Sequence, residues 1–157
     1  MKHPCLALPL ALALALLLLL HQPVCAQTLD AGYFTLDLPK GWDVITPPTR
    51  EGETVSLVVA RTDRRASVSI VSGPTRGTRM DMIAAMFAQL FQAQEPPAQQ
   101  GNLHTVPFAR DGVSGRLWMT ESQGIFIVYS LSGDDRDALN MVRSAVKSER
   151  YPGLVLP

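Results

Sequence analysis

Five consecutive apolar residues, Ile125-Phe126-Ile127-Val128-Tyr129, lie between Gly124 and Ser130. The run is too short for a buried helix and is rich in β-branched and aromatic residues, so it reads as a strand. Successive side chains of a strand point to opposite faces. A strand that is apolar at every position therefore needs cover on both faces, as a central strand with a layer above and a layer below. The neighbouring runs supply its partners. Leu103 to Arg110, Gly112 to Glu121 and Gly124 to Ser132 are separated by Asp111-Gly112 and Gln123-Gly124, which carry hairpin turn chemistry.

The N-terminal half repeats this pattern. Tyr33 to Leu38 alternates Phe34, Leu36 and Leu38 with Thr35 and Asp37, and Pro39-Lys40-Gly41 stops it. Trp42 to Thr46 is a short second strand, ended by Pro47-Pro48. Thr54 to Arg61 and Ala66 to Val71 form a hairpin across Asp63-Arg64-Arg65. Thr78-Arg79-Met80-Asp81 has the form of a capping box. A helix is predicted from there to about Gln94, with Ile83, Met86, Phe87, Leu90 and Phe91 on its buried stripe. Ala98 to Asn102 reads as a polar loop. Gly133-Asp134-Asp135 opens a final helix through about Ser148, with Asp134 as its cap and Leu139, Val142, Ala145 and Val146 buried. The order ββββ-α-βββ-α predicts an α+β domain, a mainly antiparallel sheet of six to seven strands with two helices packed on it.

The first 26 residues have a different character. Lys2 and His3 precede a Leu/Ala run from Leu6 to Leu20, and Val24-Cys25-Ala26 ends the segment with small residues. This is the pattern of a cleaved secretory signal peptide, with the cut after Ala26. The apolar run falls short of the roughly 20 residues that span a bilayer, so no transmembrane anchor is expected after cleavage. Gln22-Pro23-Val24 before Cys25 fits lipoprotein processing badly. The expected product is a single periplasmic or secreted domain of 131 residues, 27–157. Both cysteines lie in the leader, so the domain has no disulfide or thiolate chemistry and must be held by its core.

Beyond the leader, thirteen cations face fourteen acids, a formal charge of −1. That balance gives no long-range attraction for nucleic acid. His104 is the only histidine left. A triad with Ser114 or Ser130 lacks the Gly-x-Ser-x-Gly frame, and the histidine reads as a strand residue with its ring at the sheet surface. Asp134, Asp135 and Asp137 are too close together for a calcium loop and suit the first turn of a helix. Met80, Met82 and Met86 offer thioethers of the kind copper(I) prefers, but without a cysteine or second histidine they read as core methionines. No metal or cofactor is expected. The densest basic feature is Arg61, Arg64 and Arg65 near one hairpin turn, with Arg76 and Arg79 before the helix. Trp42 and Tyr33 flank the first strand and are expected either to line a docking face or to close one end of the core. The tail 151–157 carries no side-chain charge, and its Leu154, Val155 and Leu156 are expected either to lie along the sheet or to stay free for a partner.

Phe34-Thr35-Leu36-Asp37-Leu38-Pro39-Lys40-Gly41-Trp42, together with the order of elements, resembles the PsbP-like superfamily. That superfamily includes the extrinsic PsbP subunit of photosystem II and exported bacterial DcrB-like proteins. The resemblance implies an α+β fold and a binding or assembly role, and it carries no catalytic motif. The sequence is therefore read as a non-enzymatic binding or assembly module of the bacterial cell envelope that holds a protein partner, with Trp42, Arg61, Arg64, Arg65, Leu154, Val155 and Leu156 as contact candidates. The alternatives are a small-molecule or lipid pocket beneath Phe87 and Phe91, and a hydrolase using His104.

Overall fold

The structure is a computed structural model that describes residues 27–157 apart from Asp111 and the side chain of Arg110. The signal-peptide reading of residues 1–26 lies outside the described residues. Strands β3 (Trp42–Glu51), β4 (Thr54–Arg61), β5 (Ala66–Pro74), β6 (Ala98–Gln100), β7 (Leu103–Arg110), β8 (Val113–Ser122) and β9 (Ile125–Gly133) form one sheet in the order β3-β4-β5-β9-β8-β7-β6. Every pairing is antiparallel. The doubly apolar strand β9 sits at the middle, between β5 and β8, as its composition requires.

One face of this sheet carries Val55, Leu57, Val59, Val68, Ile70, Ile127, Tyr129 and Leu131. It is covered by helix α2 (Asp135–Ala145) and by a second, three-stranded sheet of β1 (Gln27–Asp30), β2 (Thr35–Leu38) and β10 (Val146–Lys147). The other face carries Val106, Phe108, Leu117, Met119 and Val128 beneath helix α1 (Met80–Leu90). The fold is α+β, dominated by antiparallel sheet with helices on both faces.

Four details depart from the sequence expectation. The Phe34 to Leu38 strand does not join the main sheet. Its alternation serves to lay Leu36 and Leu38 on the core as a separate layer, while Thr35 and Asp37 face outward half-buried. Strand β3 continues through Pro47-Pro48, because an edge strand needs no N–H on its outer side, and its register slips between Val44 and Thr46 and again before Thr49. Ala98–Gln100 pairs with β7 instead of looping. Both helices are shorter than expected. In α1, Arg79 occupies the cap position with no side-chain cap, and the helix ends at Leu90. Helix α2 ends at Ala145 because Val146 pairs with Leu36. Its start is as expected: the Asp134 carboxylate accepts from the Asp137 N–H at 3.3 Å.

The tail folds back. Tyr151, Leu154 and Leu156 join the main core, and Leu154 is fully buried. The buried Tyr129 hydroxyl donates to the Leu154 carbonyl at 2.7 Å, and the Thr120 hydroxyl donates to the Gly153 carbonyl at 3.2 Å. Burial without a charged partner pushes the Tyr129 phenol far above its ordinary range, so it stays a neutral donor.

The small sheet is also tied to its own end. Lys147 donates to Asp37, and the Thr28 hydroxyl donates to the same carboxylate at 2.8 Å. These two donors hold the Asp37 carboxyl below the ordinary carboxylate range, Lys147 first. A depressed carboxyl contributes stability above its unfolded pKa and loses it as pH falls through the folded one. Replacing Lys147 by Met should therefore raise the Asp37 pKa toward the ordinary value in an NMR titration. Stability near neutral pH should change little, because the pair is exposed and screened.

Candidate partner-binding surface

Helix α1 is apolar around more than one side. Ile83, Ala84, Phe87 and Ala88 are buried against the sheet. Met82, Met86 and Leu90 are spaced four residues apart, so they stack into one ridge. That ridge is left in solvent: the three side chains are 61%, 58% and 61% exposed. Met86 and Leu90 were expected on the buried stripe. They are not, because the small pair Ala84 and Ala88 turns toward the sheet instead, and Ile83 and Phe87 are the large side chains that the helix buries, with Met80 half-buried beside them. Exposed large apolar residues in a contiguous row are the signature of a contact site, and methionine in particular adapts to varied partners.

The ridge lies on the helix that covers β7 and β8, beside a part of the same sheet face that the helix does not reach. The same face continues across β9, β5 and β4 through Ser130 and Ser132, then Ser67, Ser69 and Val71, then Ser56, Val58 and Ala60. The register fixes these rows: Val58 lies opposite Ser69 and Ser69 opposite Ser130, while Ala60 lies opposite Ser67 and Ser67 opposite Ser132. The result is a floor of hydroxyls and short apolar groups, half-buried except for the buried Ser130 and Ala60, with the exposed Asp43 of β3 opposite Ala60 at its far edge. Its orientation to the ridge follows from helical geometry. Asp81 lines a cleft with Gln99 of β6, so that flank of α1 faces the β6 edge. At 100° per residue, Leu90 lies about 180° and Met86 about 140° round the helix from Asp81. Leu90 therefore turns away from the β6 edge, toward the β9 side of α1, while Met82, at about 100°, points more nearly outward. Ridge and floor together form an L-shaped surface with an apolar wall and a small-residue floor.

The sheet edges are poor docking sites by comparison. On β3, Pro47, Pro48 and two register slips break the outer ladder. Strand β6 covers β7 only from Leu103 to Thr105, and the exposed stretch beyond contains Pro107.

The arginine turn meets this surface at one end. Arg64 and Arg65 are exposed, and with Ser67, Ser132, Gly112 and Gly133 they line a shallow cleft of about 340 Å³. Arg64 takes a left-handed backbone, φ 62°, at the tip of the turn. Arg61 and Trp42 go elsewhere. They lie opposite each other in register on the α2 side of the sheet, where Trp42 packs half-buried on the core. Arg61 is held between Asp63 and Asp137, and its guanidinium draws the Asp63 carboxyl below the ordinary range. The structure thus unites Arg64 and Arg65 with the floor and separates Arg61 and Trp42 from it. Leu154 and Leu156 are committed to the core, and Val155 is half-buried, so the tail presents no apolar patch of three residues.

The remaining candidates are dispersed. His104 is buried at 4% exposure, not lying at the sheet surface, because α1 and β6 close over it. Ser130 shares its face but lies two strands away, with Leu117 and Met119 of β8 between them, and Ser114 points to the opposite face. Asp135 sits 3.8 Å from Arg116, and Asp137 pairs with Arg61, so the acidic cluster is a neutralised helix start. Among the described residues, no three of the His, Asp and Glu side chains gather as metal ligands. The ring of Phe91 packs on Phe108 at 4.9 Å and that of Phe87 on Phe126 at 6.1 Å, filling the space beneath α1. Among the described residues, no helix is long and apolar enough to cross a membrane.

What the sequence reading missed, the Met82–Met86–Leu90 ridge, had a signal in the chain. From Met80 to Leu90 only Asp81 and Gln89 are polar, so one face alone could never bury the apolar set. In comparisons with known proteins, no protein-family model and no curated protein matches the chain.

Proposed function

We propose that the protein is an exported, non-enzymatic binding or assembly module of the bacterial cell envelope, and that it holds a protein partner on the face formed by α1 and the open floor of β9, β5 and β4. The observation that carries this reading is the solvent-exposed ridge Met82, Met86 and Leu90 beside a small-residue floor. A partner element laid there would remove all three side chains from water, at about 25 cal/mol per Å² of apolar area. Arg64 and Arg65 at the end of the floor would orient a partner that is acidic at the matching end. The resemblance of the opening strand and turn to the PsbP-like superfamily supports the same class of role, and the Leu/Ala leader supports export.

The test is retention of envelope proteins on the immobilised domain. The double variant Met82→Glu/Met86→Glu should keep its fold by circular dichroism, since both side chains are already in solvent, and should lose at least about tenfold in partner retention. Arg64→Glu/Arg65→Glu should weaken retention and reduce its salt dependence. Undiminished retention by a folded ridge variant would overturn the reading.

A further inference from the structure

The cleft at the β6 flank of α1 has a different chemistry. Met80, Gln99, His104 and Glu121 line two adjoining hollows there, with Asn102 in the smaller and Arg79 and Asp81 in the larger. The smaller hollow holds about 150 Å³. His104 is 4% exposed, yet its ring is not sealed off. Among the described residues, the buried side-chain atoms left without a partner are Trp118 Nε1 and Asp135 Oδ1, so the imidazole nitrogens open into the cleft. Gln99 lies directly opposite His104 in the β6–β7 ladder. It donates its side-chain N–H to the Gly101 carbonyl at 3.0 Å, and its Oε1 remains to accept. Glu121 is half-buried on β8, two positions beyond Met119, the other cross-strand neighbour of His104. Such diagonal neighbours stand about 7–8 Å apart on one face, which leaves room for a group between them. Arg79 and Asp81 hold each other at 2.6 and 3.1 Å and cancel. The net charge of the cleft is therefore that of Glu121.

We propose that this cleft binds a primary alkylammonium group. The open acceptors decide the ligand. An ammonium carries three N–H donors and no acceptor. Three acceptors line the hollow to meet it: the Glu121 carboxylate, Gln99 Oε1 and one imidazole nitrogen of His104. The bond to the carboxylate is charge-assisted and the strongest of the three. An anion would instead face the Glu121 carboxylate, and like charges placed together reject it. A metal ion lacks its ligand set, since among the described residues no three of the His, Asp and Glu side chains gather. Met80 is half-buried, lines both hollows and offers an adaptable apolar wall to the methylenes of the ligand. At about 30 Å³ for each water-sized group, the smaller hollow has room for about five, the size of butylamine. The site does not depend on the partner surface.

The experiment is an NMR titration of the isotopically labelled protein with butylamine. Saturable shifts are expected at the His104 ring and at the Gln99 and Met80 amides. Tetramethylammonium, a cation without N–H donors, and butanol, of similar size without charge, should each bind at least about tenfold more weakly. Glu121→Gln, which conserves size, should weaken butylamine at least about tenfold. Gln99→Ala changes an exposed position that the core does not need, and should weaken it about threefold. Glu53→Gln removes an exposed carboxylate elsewhere and should leave binding unchanged. Lysine capped at both backbone ends separates the two sources of the group. Binding equal to that of butylamine assigns the site to a lysine of a protein, and binding of butylamine alone assigns it to a free amine; both uphold the proposal. No saturable shift at the His104 ring, equal binding of tetramethylammonium, or binding undiminished in both the Glu121 and the Gln99 variants would overturn it.

Discussion

Truncation after Arg150 is expected to leave the chain largely unfolded. The seven residues removed look dispensable in the sequence, since they form a short uncharged end. In the fold they plug one end of the main core. Leu154 is fully buried, Leu156 and Tyr151 are nearly so, and Tyr33 meets Tyr151 edge-on at 6.2 Å. A buried leucine is worth about 2–5 kcal/mol against alanine, and a domain of this size has about 5–15 kcal/mol in all. Losing two leucines and a tyrosine together removes most of that reserve. Truncation would also strip the Tyr129 hydroxyl of its acceptor, the Leu154 carbonyl, in a site where no water replaces it easily. Urea denaturation resolves the contributions. Leu154→Ala should lower stability by about 2–5 kcal/mol, whereas Val155→Ser, at a half-buried position, should stay within about 1 kcal/mol. A truncated chain with the midpoint of the intact one would show that the tail only rests on the surface.

The second large effect is at Gly115. This residue lies opposite Phe108 in the β7–β8 ladder, and the Phe108 ring lies across it. A Cβ at 115 would stand 2.2 Å from the Leu131 carbonyl oxygen and 2.6 Å from Phe108 Cζ. The first neighbour is backbone of the central strand and cannot swing aside. Overpacking of a core usually costs about 1–3 kcal/mol, and Gly115→Ala should reach or exceed the top of that range because β8 and β9 would have to part. The ring of Phe108 also supports Phe91, just beyond the C-terminal end of α1, so the variant should loosen that helix before the rest unfolds. Faster amide exchange in α1 than in α2 would report it. Gly52→Ala is the control. Its backbone, unlike that of Gly115, is left-handed, φ +60°, and nothing lies within 4 Å of the new Cβ, so only the backbone term of about 1–2 kcal/mol applies.

The parts of this architecture that the sequence reveals are those set by local chemistry. Ile125 to Tyr129 announces a central strand because no other arrangement buries both of its faces. Asp111-Gly112 and Gln123-Gly124 announce their hairpins because Gly112 and Gly124 take positive φ, 78° at each. Asp134 announces the start of α2 by its capping chemistry. The second sheet is hidden because its decisive pairing, Leu36 with Val146, joins residues more than a hundred positions apart. The ridge on α1 is hidden for another reason. Periodicity says that a helix has an apolar stripe, but when nearly every position is apolar it does not say which stripe faces the sheet. His104 fails for the same reason: an alternating strand fixes the face of the imidazole, while its burial depends on α1 and on the unforeseen strand β6 closing over it. The arginine turn was legible as a charge cluster, but only the fold shows that Arg64 and Arg65 belong to the floor and Arg61 to α2.

The central claim is that α1 and the open floor beside it carry the partner. Site-specific photocrosslinking in the intact cell envelope tests it most directly, with a photoreactive residue placed singly at Met82, Met86, Leu90 and Ser69, and at Arg143 on the exposed side of α2 as a control. The account predicts one shared crosslinked species from Met82, Met86, Leu90 and Ser69 that is absent from Arg143 and lost when Arg64 and Arg65 are both changed to Glu. Crosslinks from Arg143 with none from the ridge, or none from any of the five positions, would contradict it.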